Sequence, residues 1–145
     1  MADPRLIDES STTKWRAFEG FDLPAGTARG RAGELVWSVS PGEWTVLGAR
    51  PEGLTVDLTH VRAMYRLTGE ASARLINMVC ALDLSDGMFP NAAAARTLFA
   101  GVTIELVRDD VEETPSYLIL PSRSFGRYVE DVIIDAGAEF GLVRG

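Results

Sequence analysis

The order of apolar and polar residues predicts that the chain from residue 35 onward begins with a β-hairpin. Leu35, Trp37 and Val39 alternate with smaller or polar neighbours, as expected of a strand with one buried face. A Pro-Gly pair at positions 41–42 follows, and the apolar run Trp44–Leu47 comes directly after it. Proline presets φ at the second position of a turn and glycine accepts a positive φ at the third, so the two runs are expected to pair.

Two further segments each combine two strand patterns with a helix pattern. In residues 54–82 the apolar spacing changes near Glu70, which predicts strands at 54–58 and 61–67 followed by an amphipathic helix. Residues 102–136 repeat this order. Strands joined by short turns are antiparallel, and each helix has to cover a face of the sheet. The expected fold class is therefore α+β, with an antiparallel or mixed sheet and two helices packed on it.

The two predicted helices have well-defined apolar stripes. The stripe of the first helix consists of Leu75, Met78, Val79 and Leu82. For the second helix we expect Ser122 as N-cap and Gly137 as the C-terminal stop. The stripe of the second helix consists of Phe125, Val129, Val132, Ile133 and Ala136.

Residues 1–34 show no sustained period and are expected to form an N-terminal arm, with a single domain over residues 35–145. Trp15, Phe18 and Phe21 are three residues apart, which places them on one side of a short helical turn. Such an arm either packs back on its own domain or docks its aromatic residues on another subunit, because aromatic residues are favoured interface anchors.

Net charge and the scarcity of reactive residues exclude several functions. The chain carries a net charge of −7 at pH 7, which argues against binding to nucleic acid or to an anionic membrane. It has one cysteine, Cys80, and one histidine, His60, too few for an intramolecular disulfide or a zinc site. No apolar run approaches the roughly 20 residues that span a bilayer. We expect a cytoplasmic chain with little catalytic equipment of its own.

His60 and Cys80 are the residues that come closest to catalytic candidates. His60 could act as a general base with Asp57 fixing its tautomer, and a structural histidine is the alternative. Cys80 lies on the first predicted helix, where a buried thiol is expected rather than a nucleophile.

Four arginines are candidates for binding carboxylates. Arg62 and Arg66 share one face of a predicted strand, and their guanidinium groups could bind a ligand or another subunit, or simply face solvent. Arg123 and Arg127, four residues apart on the second predicted helix, could do the same.

Several short motifs occur in an order that resembles a known superfamily. The segments Val56–Val61 and Tyr65–Glu70 resemble the D-x-S/T-H…v-x-G region of the aminomethyltransferase (glycine-cleavage T-protein) superfamily. Within that superfamily, further segments are similar to the gamma subunits of heterotetrameric sarcosine oxidases: Glu43–Gly48, Cys80–Leu84, Phe89–Pro90, Ala95–Thr97 and Ser122–Tyr128. The K-G-C-x-x-G-Q signature of the iron–sulfur-repair branch is absent.

The resemblance implies a folate-binding-domain-like α+β fold that is used without catalytic groups, as a subunit of an oxidoreductase complex. Complexes of this kind demethylate sarcosine oxidatively and pass the one-carbon unit to tetrahydrofolate, and N-methylglutamate dehydrogenase is a related assembly. The resemblance further implies that this chain alone binds no cofactor. FAD, FMN, NAD, tetrahydrofolate and zinc would reside on the partners, which are the alpha, beta and delta subunits.

Hypotheses from three classes remain open at this point. The first is a non-catalytic, gamma-like accessory subunit in N-methyl amine oxidation and one-carbon metabolism. Its expected partner contacts are Trp15, Phe18, Trp37 and Arg62. The alternative is a stand-alone, possibly dimeric, module that binds folate or another small molecule. Its expected binding residues are Asp57, Tyr65, Arg62 and Arg66. The third class is an enzyme that uses His60 as its base.

Overall fold

The described residues form two β-sheets and two α-helices. The structure, a computed structural model, describes residues 3–31 and 34–145. The strands are β1 (Arg5–Asp8), β2 (Lys14–Ala17), β3 (Thr27–Arg31), β4 (Glu34–Ser40), β5 (Glu43–Leu47), β6 (Thr55–Asp57), β7 (Tyr65–Thr68), β8 (Ala94–Phe99), β9 (Val102–Arg108), β10 (Ser116–Pro121) and β11 (Val143–Arg144). The helices are α1 (Ser72–Asn77) and α2 (Gly126–Gly137).

The strands are divided between a six-stranded and a five-stranded sheet. The first sheet has the order β11-β1-β7-β10-β9-β8, and the second has the order β3-β4-β5-β2-β6. Neighbouring strands are antiparallel except for β1 and β11, which are parallel. The α+β class predicted from the sequence is confirmed, with two sheets in place of one.

Two apolar layers hold these elements together. The first layer packs both helices against one face of the first sheet, with Leu75 and Ile133 beside Ile104. The second layer lies between the sheets, where Trp37 meets Leu118. Strand β10 is therefore covered on both faces, which explains why its residues are buried along the whole strand.

The predicted β4–β5 hairpin is confirmed. Ser40 pairs with Glu43 across the turn, and Gly42 has a φ of +79° at the third turn position. That angle is the one a type II turn requires, and glycine adopts it without a steric penalty.

The pairing predicted within residues 54–67 is wrong. Strand β6 pairs with β2 in the second sheet, whereas β7 pairs with β1 and β10 in the first. Between them the amide groups of Val61 and Arg62 both donate to the carbonyl of Leu58, which forms a turn. This turn carries the chain from one sheet to the other, so the two alternating segments are neighbours in sequence but not in a sheet.

The N-terminal arm expected over residues 1–34 is also corrected, although residues 1–2 and 32–33 lie outside the described residues. Strand β1 lies between β11 and β7, and β2 and β3 belong to the second sheet. The helical turn expected at Trp15 is absent because Lys14–Ala17 is a strand that pairs with β5 and β6. Strand β2 has only four residues, so its alternation of side chains is too short to be recognised in the sequence. The three-residue spacing of the aromatic residues therefore favoured a helical interpretation.

The predicted helix stripes are partly correct. Helix α1 ends at Asn77, and Met78 is exposed because the chain turns away there; Leu75 is buried as expected. Helix α2 buries Val129 and Ile133. It is preceded by a 3₁₀ turn at Arg123–Phe125, which leaves Phe125 exposed.

Lys14, the only lysine of the chain, is fully buried and connects the N-terminal segment to the crossover between the sheets. Its ammonium group donates to three carbonyl oxygens, those of Ser10 at 2.7 Å, Thr12 at 2.9 Å and Thr59 at 3.3 Å. Its backbone amide donates to the Thr59 hydroxyl. Burial, reinforced by the positive charge of Arg123, lowers the pKa of Lys14 below its ordinary value.

We predict that Lys14→Met lowers the free energy of unfolding by about 2 kcal/mol or more, because three buried carbonyls lose their donor. The unfolded chain holds the Lys14 proton more tightly than the folded chain, so wild-type stability rises with pH up to the ordinary lysine value of 10.5. The stability difference between wild type and variant should therefore widen as the pH rises from the lowered pKa of Lys14 in the folded chain to 10.5. Urea denaturation at several pH values measures it.

Arg29→Met, at a side chain that is 44% exposed, is the matched control and should change stability by less than about 0.5 kcal/mol. An amine-reactive reagent gives a second readout, because Lys14 carries the only side-chain amine. Rapid labelling of Lys14 in the native protein would contradict its burial.

Candidate functional site

The four predicted partner contacts do not form one surface. Trp37 is 0% exposed, and its indole Nε1 donates to Glu105 Oε1 at 2.9 Å between the sheets. It cannot touch a partner unless the sheets separate. The expectation for Trp37 is therefore corrected: it is a core residue, because the first sheet covers the inner face of β4.

Trp15 lies at the outer side of the second sheet, opposite Val46 of the outer face, and Phe18 directly follows β2. The Trp15 indole donates to the Gly48 carbonyl at 3.1 Å, and the guanidinium of Arg50 lies 5.9 Å from its ring centre. Trp15 is thus half-buried by its own chain, whereas Phe18 is 38% exposed. Both residues remain predicted contacts.

The residues predicted for a folate site are not brought together. Asp57 is exposed on β6 and accepts the backbone amide of Thr59, which holds the pKa of that carboxyl below its usual value. Tyr65 is buried in the first sheet and donates to the Gly126 carbonyl at 3.0 Å; its burial raises the pKa of the phenol. Arg66 is bound to the Asp109 carboxylate at 2.9 Å. The side chains predicted to bind folate are thus hydrogen-bonded or ion-paired to other groups of this chain.

His60 and Cys80 are not arranged for catalysis. His60 is exposed, and the Asp57 carboxylate that was expected to orient it is hydrogen-bonded to Thr59 instead. Cys80 is buried, with its sulfur 3.8 Å from the Thr97 hydroxyl. The expectation of a buried thiol is confirmed.

A buried carboxylate between the sheets was missed by sequence reasoning. Glu105 on β9 is 2% exposed and accepts from Trp37 and from Arg16 Nη2, at 2.9 Å and 3.2 Å. Arg62 Nη2 lies 3.8 Å from the same carboxylate, and Glu43 lies 3.7 Å from Arg16. One buried negative charge thus faces two guanidinium groups. The Nε atoms of both arginines are buried without a hydrogen-bond partner among the described residues.

An open groove of about 520 Å³ begins at Arg62. We call it the Arg62 groove, and its lining residues are Arg62, Gly101, Val102, Thr103, Ser122 and Phe125. The β8–β9 turn, the start of β9 and the 3₁₀ turn before α2 supply these side chains, and Arg62 joins them through a β-bridge to Ser122. The groove combines a cation, two hydroxyl groups and an exposed aromatic ring.

A second cavity, of about 340 Å³, lies on the outer face of the second sheet. Val36 and Val46, which are paired across β4 and β5, form its apolar floor. Its charged lining residues have both signs and are Glu19, Arg29, Glu34, Arg50 and Glu52. Among the described residues, no cluster of three or more His, Cys, Asp or Glu side chains is placed to hold a metal ion. Within the same residues, no helix is long and apolar enough to cross a membrane.

Solved structures define the class of fold. The chain is similar to a chain of the heterotetrameric sarcosine oxidase from Corynebacterium sp. U-96 in complex with pyrrole 2-carboxylate. The TM-score is 0.79 at 23% identity, with 95% of this chain and 85% of that chain covered. The aminomethyltransferase T of the glycine cleavage system from Bartonella henselae matches with a TM-score of 0.73 at 12% identity, covering 99% of this chain and 48% of that one. The fold is therefore the aminomethyltransferase-like α+β fold.

The sequence is similar to the sarcosine oxidase subunit gamma of Arthrobacter sp. The identity is 29% over 132 residues, which are 91% of this chain and 59% of the relative. No family model matches the chain. The similarity to a gamma subunit of sarcosine oxidase that the motifs indicated is thus confirmed, and the chain spans about three-fifths of the relative's length.

We predict that Glu105→Gln lowers the free energy of unfolding by about 3 kcal/mol, because Arg16 and Arg62 lose their buried counter-charge. Denaturation monitored by the fluorescence of Trp37 and the other tryptophans measures this loss. Glu43→Gln is the matched control, since its side chain is 37% exposed, and it should cost less than about 1 kcal/mol. Equal stability of both variants would show that Glu105 does not balance these charges.

Proposed function

We propose that this chain is a non-catalytic accessory subunit, comparable to a gamma subunit, of a sarcosine-oxidase-type flavoenzyme complex in the cytoplasm. Its partners would be the alpha, beta and delta subunits of such a complex, which oxidises N-methyl amines in one-carbon metabolism. The observation that carries the proposal is the similarity to a subunit gamma over 91% of the chain, together with the shared fold.

The use of the charged residues supports an accessory role. Arg108 is bound to the carboxylates of Asp110 at 2.9 Å and Asp86 at 2.6 Å. Arg66 is similarly bound to Asp109. These pairs lie within the first sheet and its loops, and each arginine is satisfied by its own chain. The buried ionisable groups described here thus stabilise the fold, and none of them faces a cavity in an arrangement typical of general acid–base catalysis.

The cofactors of the proposed complex belong to its other subunits. FAD, FMN, NAD, tetrahydrofolate and zinc would be held there, as the resemblance to gamma subunits implies, and the residues predicted for a folate site support this for tetrahydrofolate because they are not brought together. Asp57 lies in the second sheet, whereas Tyr65 and Arg66 lie in the first and are satisfied by other groups. The contribution of this chain to the reaction is therefore contact with its partners, without a chemical step.

We predict that the tagged chain, purified from its own host, carries flavin-containing partners in stoichiometric amounts. The eluate should be yellow, and intact mass measurements should give two or three further polypeptides. The same host expressing an unrelated tagged protein of similar charge serves as control. A colourless eluate with a single polypeptide would contradict the proposal.

We also predict that the isolated chain gives no binding heat with tetrahydrofolate, even at millimolar concentration. The reason is that Asp57, Tyr65 and Arg66 are directed to separate intramolecular partners. Isothermal titration calorimetry measures this directly. Saturable binding that is lost in Arg66→Leu would instead favour the stand-alone folate-binding module.

A further inference from the structure

The Arg62 groove lies in a basic region of an acidic protein. Its lining residues include Arg62 and no aspartate or glutamate, although the buried Glu105 carboxylate lies 3.8 Å from Arg62. Arg123 and Arg127 flank the lining residue Phe125 in sequence, and Arg96 lies on β8 next to β9. The net charge of the whole chain is −7, so this concentration of positive charge is local. Arg96, Arg123 and Arg127 are exposed and can attract an anionic partner.

Arg62 has hydrogen-bonding capacity that its own chain does not use. Its terminal nitrogen lies 3.8 Å from Glu105, beyond hydrogen-bond distance, while Arg16 and Trp37 occupy that carboxylate at 3.2 Å and 2.9 Å. The Nε atom of Arg62 is buried without a partner among the described residues. The side chain is 24% exposed, so a second carboxylate can bind the terminal nitrogens of the guanidinium group, although not the buried Nε.

Exposed aromatic rings border the groove. Phe125 lines it and is 48% exposed, and Tyr128, one turn further along α2, is 46% exposed. The Tyr128 hydroxyl donates to the Ala100 carbonyl at 2.9 Å, which fixes the ring above the β8–β9 turn. Aromatic residues and arginines are the types that dominate the binding energy of protein interfaces.

We propose that the Arg62 groove is the docking site for an acidic segment of a partner polypeptide in the flavoenzyme complex. An aspartate or glutamate of that segment binds Arg62, the exposed Arg123 and Arg127, which flank Phe125 in sequence, attract its neighbouring charges, and an apolar neighbour packs on Phe125. This inference rests on the proposed function, and it adds the location and the chemistry of the contact.

The outer face of the second sheet is less suited to this partner. Its cavity carries three glutamates and two arginines, so its charge is mixed and does not select an acidic segment. Trp15, one of the aromatic residues on that side, already donates its N–H to Gly48 and is half-buried. The lining of the Arg62 groove therefore has one charged side chain, an arginine without a side-chain hydrogen bond among the described residues, beside the exposed ring of Phe125, whereas the charge of the outer cavity is mixed.

Substitutions of exposed groove residues test the proposal without disturbing the core. We expect Arg123→Glu with Arg127→Glu, and separately Phe125→Asp, to weaken binding of the flavin-containing partner at least about tenfold. The matched controls are Arg29→Glu, on the second sheet, and Met88→Asp, at a side chain that is 69% exposed. Protection of Lys14 from an amine-reactive reagent shows that each variant is folded.

Photo-crosslinking identifies the contact directly. The crosslinking amino acid p-benzoylphenylalanine is placed at Phe125 in one tagged chain and at Phe18 in another, and crosslinked peptides are sequenced by mass spectrometry. The proposal expects a crosslink from Phe125 to a partner peptide that contains aspartate or glutamate.

The outcomes separate the two proposals. Capture of the flavoprotein by wild type and by both controls, with loss in the groove variants, supports the docking site. Equal capture by the groove variants, with crosslinks from Phe18 in place of Phe125, overturns the docking site and leaves the accessory function intact. Failure of the wild-type chain to bind any flavoprotein overturns both.

Discussion

The Glu105 carboxylate joins the two sheets by side-chain hydrogen bonds through the buried layer between them, in addition to the backbone bonds of the β3 segment to residues 92–94. It extends from β9 of the first sheet and accepts from Arg16 on β2 and Trp37 on β4 of the second. Strands β2 and β4 flank β5, so one carboxylate connects two strands of the second sheet across a third. An isolated charge in the apolar layer between the sheets would be costly, and its hydrogen bonds require both sheets to keep one relative position. The apolar residues around Glu105 contribute buried surface, which has no directional preference. The hydrogen bonds of Glu105 are directional and favour one alignment of the two sheets.

Arg62 links this alignment to the surface. It lies on the turn where the chain leaves β6 in the second sheet and enters β7 in the first. Glu105 attracts its guanidinium group from a distance of 3.8 Å without saturating it. The backbone segment of Arg62 is bound to the segment of Ser122, because the Val61 carbonyl accepts from Arg123 at 2.9 Å and the Ala63 amide donates to Pro121 at 3.2 Å. Glu105 thus contributes both to the alignment of the sheets and to the position of the Arg62 guanidinium at the surface to which we assign partner binding.

The parts of the fold that were predictable from the sequence are those set by local geometry. A Pro-Gly turn between two apolar runs specifies the β4–β5 hairpin, and strict alternation specifies β9. The crossover at Arg62 was not predictable, because alternation identifies strands but not the sheet to which each belongs. Trp37 illustrates the same limit: its spacing indicates a face of β4, and only the tertiary structure shows that the first sheet covers that face.

The candidate site was less accessible to sequence reasoning for a related reason. Glu105 occupies a position in β9 where an exposed polar residue is expected, since Ile104 and Leu106 face the helices. Nothing in the local sequence shows that Arg16, 89 positions earlier, lies opposite. Arg62 was identified as a carboxylate-binding candidate from residue chemistry alone. Arg62 and Arg66 were expected to share one face of a strand and to bind a carboxylate there. Arg66 instead lies on β7, without Arg62, and its charge is neutralised by Asp109.

The distribution of charge explains how an acidic chain can present a basic docking surface. Lys14, the only lysine, is buried, so the positive charge at the surface is contributed by arginine side chains. Several arginines, such as Arg66 and Arg108, are neutralised by acidic neighbours within the first sheet and its loops. Near the Arg62 groove, Arg62 lies 3.8 Å from Glu105, while Arg96, Arg123 and Arg127 are exposed and form no salt bridge with the other described residues. In the proposed accessory role, the net negative charge of the whole chain disfavours acidic partners, and the local positive charge at the groove favours one orientation of such a partner.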